Sequence, residues 1–254
     1  MRVASNPTIS SGPYDVLQGK HRPGASDSYS VGDAEERAVL DWIKNNTNND
    51  DLIAELAASS DFDEMNAFDF WARGSFMGGQ MYGDWDDMNS REQGAVRVYD
   101  KFIDRSVFSK GVVVARVASP ELLFGKGHYD TNLAELQAMK GAVIKCKSCL
   151  STSAAQEGLT IWDNEPIEYK IKIPAGAKGA GMWISDPRIN RTFKTSQREV
   201  MMNRDSKYRV GSTKYNAARG VYEVELEWIG HDPHKYGASG RASSGGNWAG
   251  WDFD

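Results

Sequence analysis

Three polar features in the β-rich part of the sequence carry side chains that can do chemistry. Arg116 lies inside the β-branched run VVVARVA, where a charged side chain is costly unless it has a partner or faces a ligand. The hydroxyl residues 151–153 end the segment CLSTS, which is expected to be a strand. Gln197 and Glu199 stand two apart where a loop is expected to enter the strand EVMM. A strand period of two predicts that both side chains project to the same face and act on one bound molecule.

Other catalytic signatures are missing from the sequence. It contains no GxxxxGK[ST], no GxGxxG that opens a helix after a strand, no HExxH and no GxSxG. The sequence shows no obvious catalytic triad around its histidines, which are His21, His128, His231 and His234. Hydrolase mechanisms therefore find little support in these residues.

Cysteine usage argues against a metal centre. Cys146 and Cys149 form a CxxC, with no second CxxC or HxxxH to complete four zinc ligands. On one extended strand the two side chains would also point to opposite faces. We therefore predict reduced, part-buried thiols, which suit a reducing compartment, and no metal. Half of a zinc site or a redox pair stays the alternative.

The elements that must position these side chains fall into two groups along the chain. Helices are predicted first, after an N-cap at Asp33 and then over 51–58, 61–76 and 91–105, with Trp71 on the apolar side of the third. Short strands are predicted at 112–118, 142–150, 167–174, 179–185, 199–202, 207–213 and 221–229. Helices followed by strands predict an α+β fold and argue against a doubly wound α/β sheet.

Length and composition suit one domain with a substantial core, since the chain has 254 residues. Residues 1–31 are rich in Ser, Gly, Pro and Asn and are predicted to be a flexible N-terminal segment. Residues 32–230 are predicted to form the folded domain. Residues 231–254 are rich in Gly, Ser and Trp and are predicted to be an irregular tail that docks through its aromatic side chains.

Net charge and hydropathy limit the classes of partner that the protein is expected to bind. The net charge is −5, so the molecule as a whole is not built to bind phosphate backbones. A local basic patch stays possible, made of Arg188, Arg191, Lys194 and Arg198. No apolar run is long enough to cross a bilayer, and the N-terminus has no apolar core of a signal peptide. We therefore expect a soluble protein without a signal peptide, and neither a membrane partner nor an oligomer is indicated.

In this order the three polar features resemble the signature of the R-S-E class of mono-ADP-ribosyltransferases. That family includes clostridial C3-type exoenzymes, binary-toxin catalytic subunits and phage-encoded host modifiers. In it, an Arg on the first core strand, an S-T-S at the end of a following strand and an (E/Q)-x-E entering a later strand converge on NAD⁺. The resemblance extends over about residues 33–213. It implies an N-terminal helical layer, then a mixed, mainly antiparallel β-sandwich core, with NAD⁺ as co-substrate and no metal.

The resemblance implies a role for each residue of this site. Arg116 would anchor phosphate and ribose, because a guanidinium binds oxygen anions bidentately. Ser151 would hydrogen-bond the nicotinamide ribose and orient Glu199, while Thr152 and Ser153 would fix the turn beside the bound NAD⁺. Glu199 would accept a hydrogen bond from the ribose 2′-OH and stabilise the oxocarbenium-like transition state.

Gln197 and Phe193 are the residues that would recognise the acceptor. The Gln197 amide has no charge and cannot be a general base, so it would orient the acceptor. Phe193, on the same loop, would grip the target or only pack. In the family, Glu at the position of Gln197 accompanies arginine acceptors, whereas Gln accompanies others, such as asparagine side chains or guanine bases. Val117 follows Arg116, where the family often has Gly.

The implied function is transfer of ADP-ribose from NAD⁺ to a macromolecule, with a protein side chain other than arginine as the acceptor. The resemblance further implies a toxin or phage effector that acts in the cytosol of a target or host cell. NAD⁺ glycohydrolase activity, modification of nucleic acid and a non-catalytic structural module of the same fold stay as alternatives.

Overall fold

A computed structural model describes residues 12–17, 29–30, 34–72, 85, 88–124, 128–155, 165–190, 195–196, 198–234, 236 and 251–253. Within these ranges the helices are α1 (Ala34–Asn46), α2 (Asn49–Ala58), α3 (Phe62–Ala72), α4 (Ser90–Ile103), α5 (Glu121–Phe124) and α6 (Leu133–Ala138). None of the described helices is both long enough and apolar enough to span a membrane.

Most strands of the described residues lie from Val107 onwards. The strands are β1 (Tyr14–Val16), β2 (Tyr29–Ser30), β3 (Val107–Phe108), β4 (Gly111–Ala118), β5 (Val143–Cys146), β6 (Leu150–Ser153), β7 (Ile167–Ile173), β8 (Ala177–Lys178), β9 (Gly181–Trp183), β10 (Thr195–Ser196), β11 (Glu199–Met202), β12 (Ser206–Asn216), β13 (Val221–His231) and β14 (Trp251–Phe253). Helices α5 and α6 lie between β4 and β5.

One large mixed sheet holds most of these strands. Its hydrogen-bonded order is β14, β5, β12, β13, β7, β4, β6, β11 and β9, and β1 also pairs with β4. The β13–β7 and β1–β4 pairs are parallel, whereas the other pairs of this sheet are antiparallel. With helices first and a mainly antiparallel sheet after them, the α+β fold predicted from the sequence is confirmed.

Strand β4 is the junction of this sheet. It pairs with β7 from Val112 to Ala118, with β1 at its start, and with β6 through the single pair Ala115 and Ser153. Arg116 follows Ala115 directly. The junction therefore brings the predicted arginine beside the strand that carries the predicted hydroxyl residues.

Helix α4 fixes the position of α3. It begins at a capping box in which the Asn89 side chain accepts from the first turn and Glu92 bonds back to the Asn89 backbone. The hydroxyl of Tyr99, a buried residue of α4, donates to the carbonyl of Ala67 in α3 at 2.7 Å. The Tyr99 ring meets the Trp71 ring edge-on at 5.9 Å between centroids. These contacts hold the C-terminal turn of α3 in place.

The segment predicted as one strand over 142–150 is two strands. Residues 143–146 pair with β12, whereas 150–153 pair with β11, so the chain changes partner between them and turns. The Cys146 thiol donates to the carbonyl of Ser148 within that turn, at 3.3 Å. Cys146 and Cys149 are both free and buried, and burial raises the pKa of each thiol. The prediction of reduced cysteines agrees with this geometry.

Both ends of the chain contribute strands to the sheet. Inside the segment predicted to be flexible, β1 pairs with β4, and the buried Asp15 carboxylate accepts from the Trp42 indole at 2.7 Å and contacts Lys110 Nζ at 2.7 Å. Inside the predicted tail, residues 251–253 pair with β5. The domain limits at 31/32 and 230/231 stay predictions.

Candidate active site

The Glu199 carboxylate accepts two hydrogen bonds on one oxygen. The hydroxyl of Ser151 lies 2.5 Å from Glu199 Oε1, and the indole nitrogen of Trp71 lies 2.8 Å from the same atom. Among the residues that the structure describes, none donates a hydrogen bond to Oε2. The carboxylate is therefore held by one oxygen and can bind a ligand with the other.

The main chain of Glu199 is fixed from both sides. Glu199 opens β11, which pairs with β6 on one side and β9 on the other. Its N–H donates to the Ser185 hydroxyl at 2.7 Å, and its carbonyl accepts from the N–H of Ile184 at 2.9 Å. A charged group in such a framework is positioned before any ligand binds, which is the arrangement that electrostatic catalysis requires.

Thr152 and Ser153 are the last two residues of β6, the strand end at which the sequence placed them. The Thr152 hydroxyl donates to the carbonyl of Val200 at 2.7 Å across the β6–β11 pair. Ser153 is buried, and it stands opposite Glu199 in the strand register. The two residues therefore contribute to the strand pairing that positions Ser151 next to Glu199. Their direct contact with NAD⁺ stays a prediction.

Arg116 lies next to the same hydroxyl strand. Its Nη1 donates to the carbonyl of Ser151 at 2.7 Å. Its Nε is buried and has no hydrogen-bond partner among the described residues. Burial lowers the pKa of the guanidinium, and the nearby Cys146 and Glu199 oppose that shift. A buried donor without a partner costs free energy, which an anionic or hydroxylated ligand would recover.

Burial also perturbs the carboxylate. Desolvation raises the pKa of Glu199, while the hydrogen bonds from Ser151 and Trp71 and the charge of Arg116 act in the opposite direction. An ionised carboxylate in such a poorly hydrated place interacts strongly with a cation that forms beside it. The site is therefore suited to stabilise positive charge.

The residue before Glu199 departs from strand geometry. Arg198 has a φ of 50°, in the left-handed region, so the strand period that placed Gln197 and Glu199 on one face does not hold across it. Gln197 itself lies outside the described residues, as does Phe193. The assignment of both residues to acceptor recognition stays a prediction.

The possible basic patch is not supported by the residues that the structure describes. Arg198 is fully buried and donates from Nε to Glu36 Oε2 at 2.8 Å. Arg188 bonds to two carboxylates, Asp186 at 2.9 Å and Asp50 at 2.5 Å. Its charge is already balanced by those partners. The other two members, Arg191 and Lys194, lie outside the described residues.

Sequence reasoning missed two residues that support the site, Trp71 and Glu36. Trp71 was predicted only as part of an apolar helix face, and it lies 128 positions from Glu199. Glu36 carries no functional signal in the sequence, and it lies 162 positions from Arg198. No local pattern links residues so far apart, so only the packing of α1 and α3 against β11 could reveal these pairs.

Residues 80–229 match the family model described as ADP-ribosyltransferase exoenzyme. Comparison with the curated proteins gives no match. Several solved structures that are less than 25% identical to this chain share its fold.

C3stau2 from S. aureus, solved with NAD, is 21% identical with a TM-score of 0.57, over 75% of this chain and 95% of that one. Plx2a, an ADP-ribosyltransferase toxin from Paenibacillus larvae, is 16% identical with a TM-score of 0.57, over 75% and 96%. BECa, the ADP-ribosylating toxin of a C. perfringens binary enterotoxin, solved with NADH, is 11% identical with a TM-score of 0.58, over 75% and 48%.

Proposed function

Because the chain belongs to the ADP-ribosyltransferase exoenzyme family and is an NAD⁺-dependent ADP-ribosyltransferase, we propose that Glu199, Ser151 and Arg116 form its catalytic centre. The observation that carries this proposal is the hydrogen bond of 2.5 Å between Ser151 and Glu199, which lie 48 residues apart. The similar fold of C3stau2, solved with NAD, and of BECa, solved with NADH, supports the same nucleotide as co-substrate here.

Glu199 acts on the bond between nicotinamide and ribose. Nicotinamide leaves with the bonding electron pair, so positive charge develops on the ribose carbon and ring oxygen. The Oε2 atom of Glu199 accepts from the ribose 2′-OH, while Ser151 and Trp71 hold Oε1 and keep the carboxylate from rotating. The acceptor then attacks the same carbon and loses its proton. A preorganised group of this kind lowers the activation barrier by about 3–4 kcal/mol.

Arg116 binds the oxygen atoms of the nucleotide. Its Nη1 is occupied by the Ser151 carbonyl, and its buried Nε is the donor that a phosphate or ribose oxygen would take. A guanidinium is suited to this role because its donors lie in one plane and match oxygen anions. Binding at Arg116 and reaction at Glu199 are coupled through Ser151, since both side chains contact that residue.

The acceptor is a macromolecule, and we place it among protein side chains other than arginine. The reason is Gln197, a neutral amide at the position where arginine-modifying relatives carry Glu. Nucleic acid is the weaker acceptor, because the net charge is −5 and the described arginines of the basic segment are paired with carboxylates. A toxin or phage effector that works in the cytosol of a target cell is the setting that fits such an acceptor.

Labelled NAD⁺ tests both parts of this proposal. We expect label to enter protein when the wild-type chain is incubated with NAD⁺ and a cell lysate, and not with Glu199→Gln. Glu135→Gln, at an exposed helix start, is the matched control and should label as the wild type does. Mass spectrometry of the product identifies the modified residue, and robust labelling of agmatine would contradict the acceptor class.

Water as acceptor is the second candidate. Nicotinamide release that is equally fast with and without lysate, with no labelled macromolecule, would indicate an NAD⁺ glycohydrolase. A folded wild-type chain that releases no nicotinamide under either condition would contradict catalysis and favour a structural module.

A further inference from the structure

Two histidines and a carboxylate converge where the end of β13 meets the end of α4. His231 is the last residue of β13, His234 follows three positions later, and Asp104 is the C-cap of α4. The Nε2 atom of His234 lies 3.0 Å from Asp104 Oδ1, and Nε2 of His231 lies 3.8 Å from the same oxygen. The three ligand atoms all lie within 4.8 Å of one another. We propose that these residues bind one divalent transition-metal ion, and that they bind Zn²⁺ in preference to other such ions.

The spacing of the three atoms suits a tetrahedral ion. Zinc binds imidazole nitrogen and carboxylate oxygen at about 2.0–2.2 Å, so neighbouring ligand atoms of a tetrahedral site stand roughly 3.3 Å apart. The separations of 3.0 and 3.8 Å from Asp104 Oδ1 lie on either side of this value. Side-chain movement would bring the three ligand atoms, which lie within 4.8 Å of one another, to tetrahedral spacing, and water would take the fourth position.

Hydrogen bonding prepares the imidazole of His231 as a ligand, and a carboxylate lies near the imidazole of His234. Nδ1 of His231 lies 3.0 Å from the carbonyl oxygen of Asp232, and because a carbonyl only accepts, Nδ1 carries the proton and Nε2 has the lone pair. Nδ1 of His234, whose side chain is 4% exposed, has no hydrogen-bond partner among the described residues and lies 3.7 Å from Asp205 Oδ2. A carbonyl or carboxylate oxygen that accepts from the second ring nitrogen is the usual support of a histidine ligand in metal sites.

The carboxylate ligand is held in the same way. Asn203 Nδ2 donates to Asp104 Oδ1 at 2.8 Å, which orients the oxygen that both histidines approach. The neighbouring Asp100 is not available as a ligand, because three hydrogen bonds from Arg204 occupy its two oxygens at 2.8–3.0 Å. The ligand set is therefore two imidazoles and one carboxylate, which are nitrogen and oxygen donors that zinc accepts.

The charge around the histidines favours a cation. Four carboxylates surround them, and three cationic side chains pair with these carboxylates, so with neutral histidines the cluster carries an excess of one negative charge. The carboxylates are those of Asp100, Asp104, Asp205 and Asp232, and the cations are Arg204, Lys145 and Lys207. The competing occupant is a proton shared by His234 and Asp104.

The ion would act on stability and not on the transfer reaction. Its ligands share no residue with Glu199, Ser151 or Arg116. The ligands connect the C-terminal end of α4 to the C-terminal end of β13. Residue 229, where the family match ends, lies in the same strand. A metal bound there would tie the helical layer to the sheet and resist unfolding from that end of the chain.

Equilibrium dialysis tests the site. The untagged full chain, stripped with a chelator, is dialysed against Zn²⁺, and protein-bound metal is measured by mass spectrometry. We expect one equivalent of zinc and a rise in melting temperature. His231→Ala and Asp104→Asn should bind at least tenfold more weakly. His128→Ala is the matched control, because His128 lies beside Phe124 and away from these ligands, and it should bind as the wild type does.

Cobalt gives a readout that a structural defect would not imitate. Co²⁺ in a tetrahedral nitrogen and oxygen site has a visible absorption that hexaaqua Co²⁺ lacks, and we expect this band in the wild type and not in His231→Ala. His231 is 21% exposed, so we expect its removal to perturb the fold less than removal of His234, whose side chain is 4% exposed. A wild type that binds less than half an equivalent, or variants that bind as well as the wild type, would overturn the proposal and leave a proton-linked His–Asp cluster.

Discussion

Arg198 and Glu36 form an ion pair that is closed off from solvent, with 2.8 Å between Nε and Oε2 and exposed fractions of 0% and 2%. The pair links α1 to the residue directly before Glu199. Arg198 has left-handed backbone geometry there, with a φ of 50°, which costs a non-glycine residue about 1–2 kcal/mol. The ion pair therefore holds a strained segment at the entrance of β11, and the Arg198 carbonyl accepts from the N–H of Ala154 at 2.7 Å, which joins it to the end of β6.

Glu36→Gln tests whether this pair supports the active site. The change leaves a buried guanidinium with a weaker partner, and breaking a buried ion pair costs about 3–5 kcal/mol. We expect the free energy of unfolding in urea to fall by up to that amount, and kcat for NAD⁺ cleavage to fall more than KM changes. Glu55→Gln is the control, because Glu55 forms an exposed pair with Arg105 and its loss should change neither quantity appreciably.

Trp71→Phe removes one donor to Glu199 and keeps an aromatic ring against Tyr99. A hydrogen bond to a charged group contributes about 1.5–3 kcal/mol, so we expect kcat for NAD⁺ cleavage to fall by roughly 10- to 100-fold with little change in KM. Steady-state nicotinamide release measures both. Trp228→Phe is the control, since its indole bonds to Ser206 at 3.2 Å, and an equal loss of kcat in that variant would contradict a specific role for Trp71.

Glu199→Gln should separate stability from activity. Activity should fall by about 10²- to 10³-fold, because the negative charge at the forming cation is lost. Burial raises the pKa of Glu199, so the folded state holds this proton more tightly than the unfolded state does. The stabilising contribution of the group is thus present below its unfolded pKa and is lost as the pH rises through its folded pKa.

At neutral pH the buried charge therefore costs stability, and the neutral Gln removes that cost. Urea unfolding should show Glu199→Gln to be more stable than the wild type at neutral pH, with a difference that shrinks on acidification. If the variant is instead less stable than the wild type by the same amount at neutral and at acid pH, the loss of hydrogen bonds, and not the burial of charge, determines the change in stability.

The pH dependence of NAD⁺ cleavage should report the same group. The reaction needs the ionised Glu199 carboxylate, and burial raises its pKa, so kcat/KM should fall on acidification at a pH above the ordinary range of a glutamate. The measurement is kcat/KM for nicotinamide release across the acid range, at pH values where circular dichroism shows a folded chain. In Trp71→Phe the midpoint should move further up, because the Trp71 hydrogen bond lowers this pKa.

Local patterns in the sequence determined the order of helices and strands, and with it the α+β class. They did so because helical spacing, capping signals and β-branched runs act over a few residues, as in α4 and β4. The cost of a charged side chain inside an apolar strand singled out Arg116, whereas the roles of Ser151 and Glu199 were predicted from the resemblance of their motifs to the R-S-E signature.

Only the tertiary structure decided the partners of those residues. Trp71 and Glu36 reach β11 across 128 and 162 positions, and Arg198, which the sequence assigned to a possible basic surface, is enclosed by α1. His231 and His234 likewise meet Asp104 only because β13 ends against α4. Side-chain partnership depends on how remote segments pack, and no periodicity or spacing within one segment carries that information.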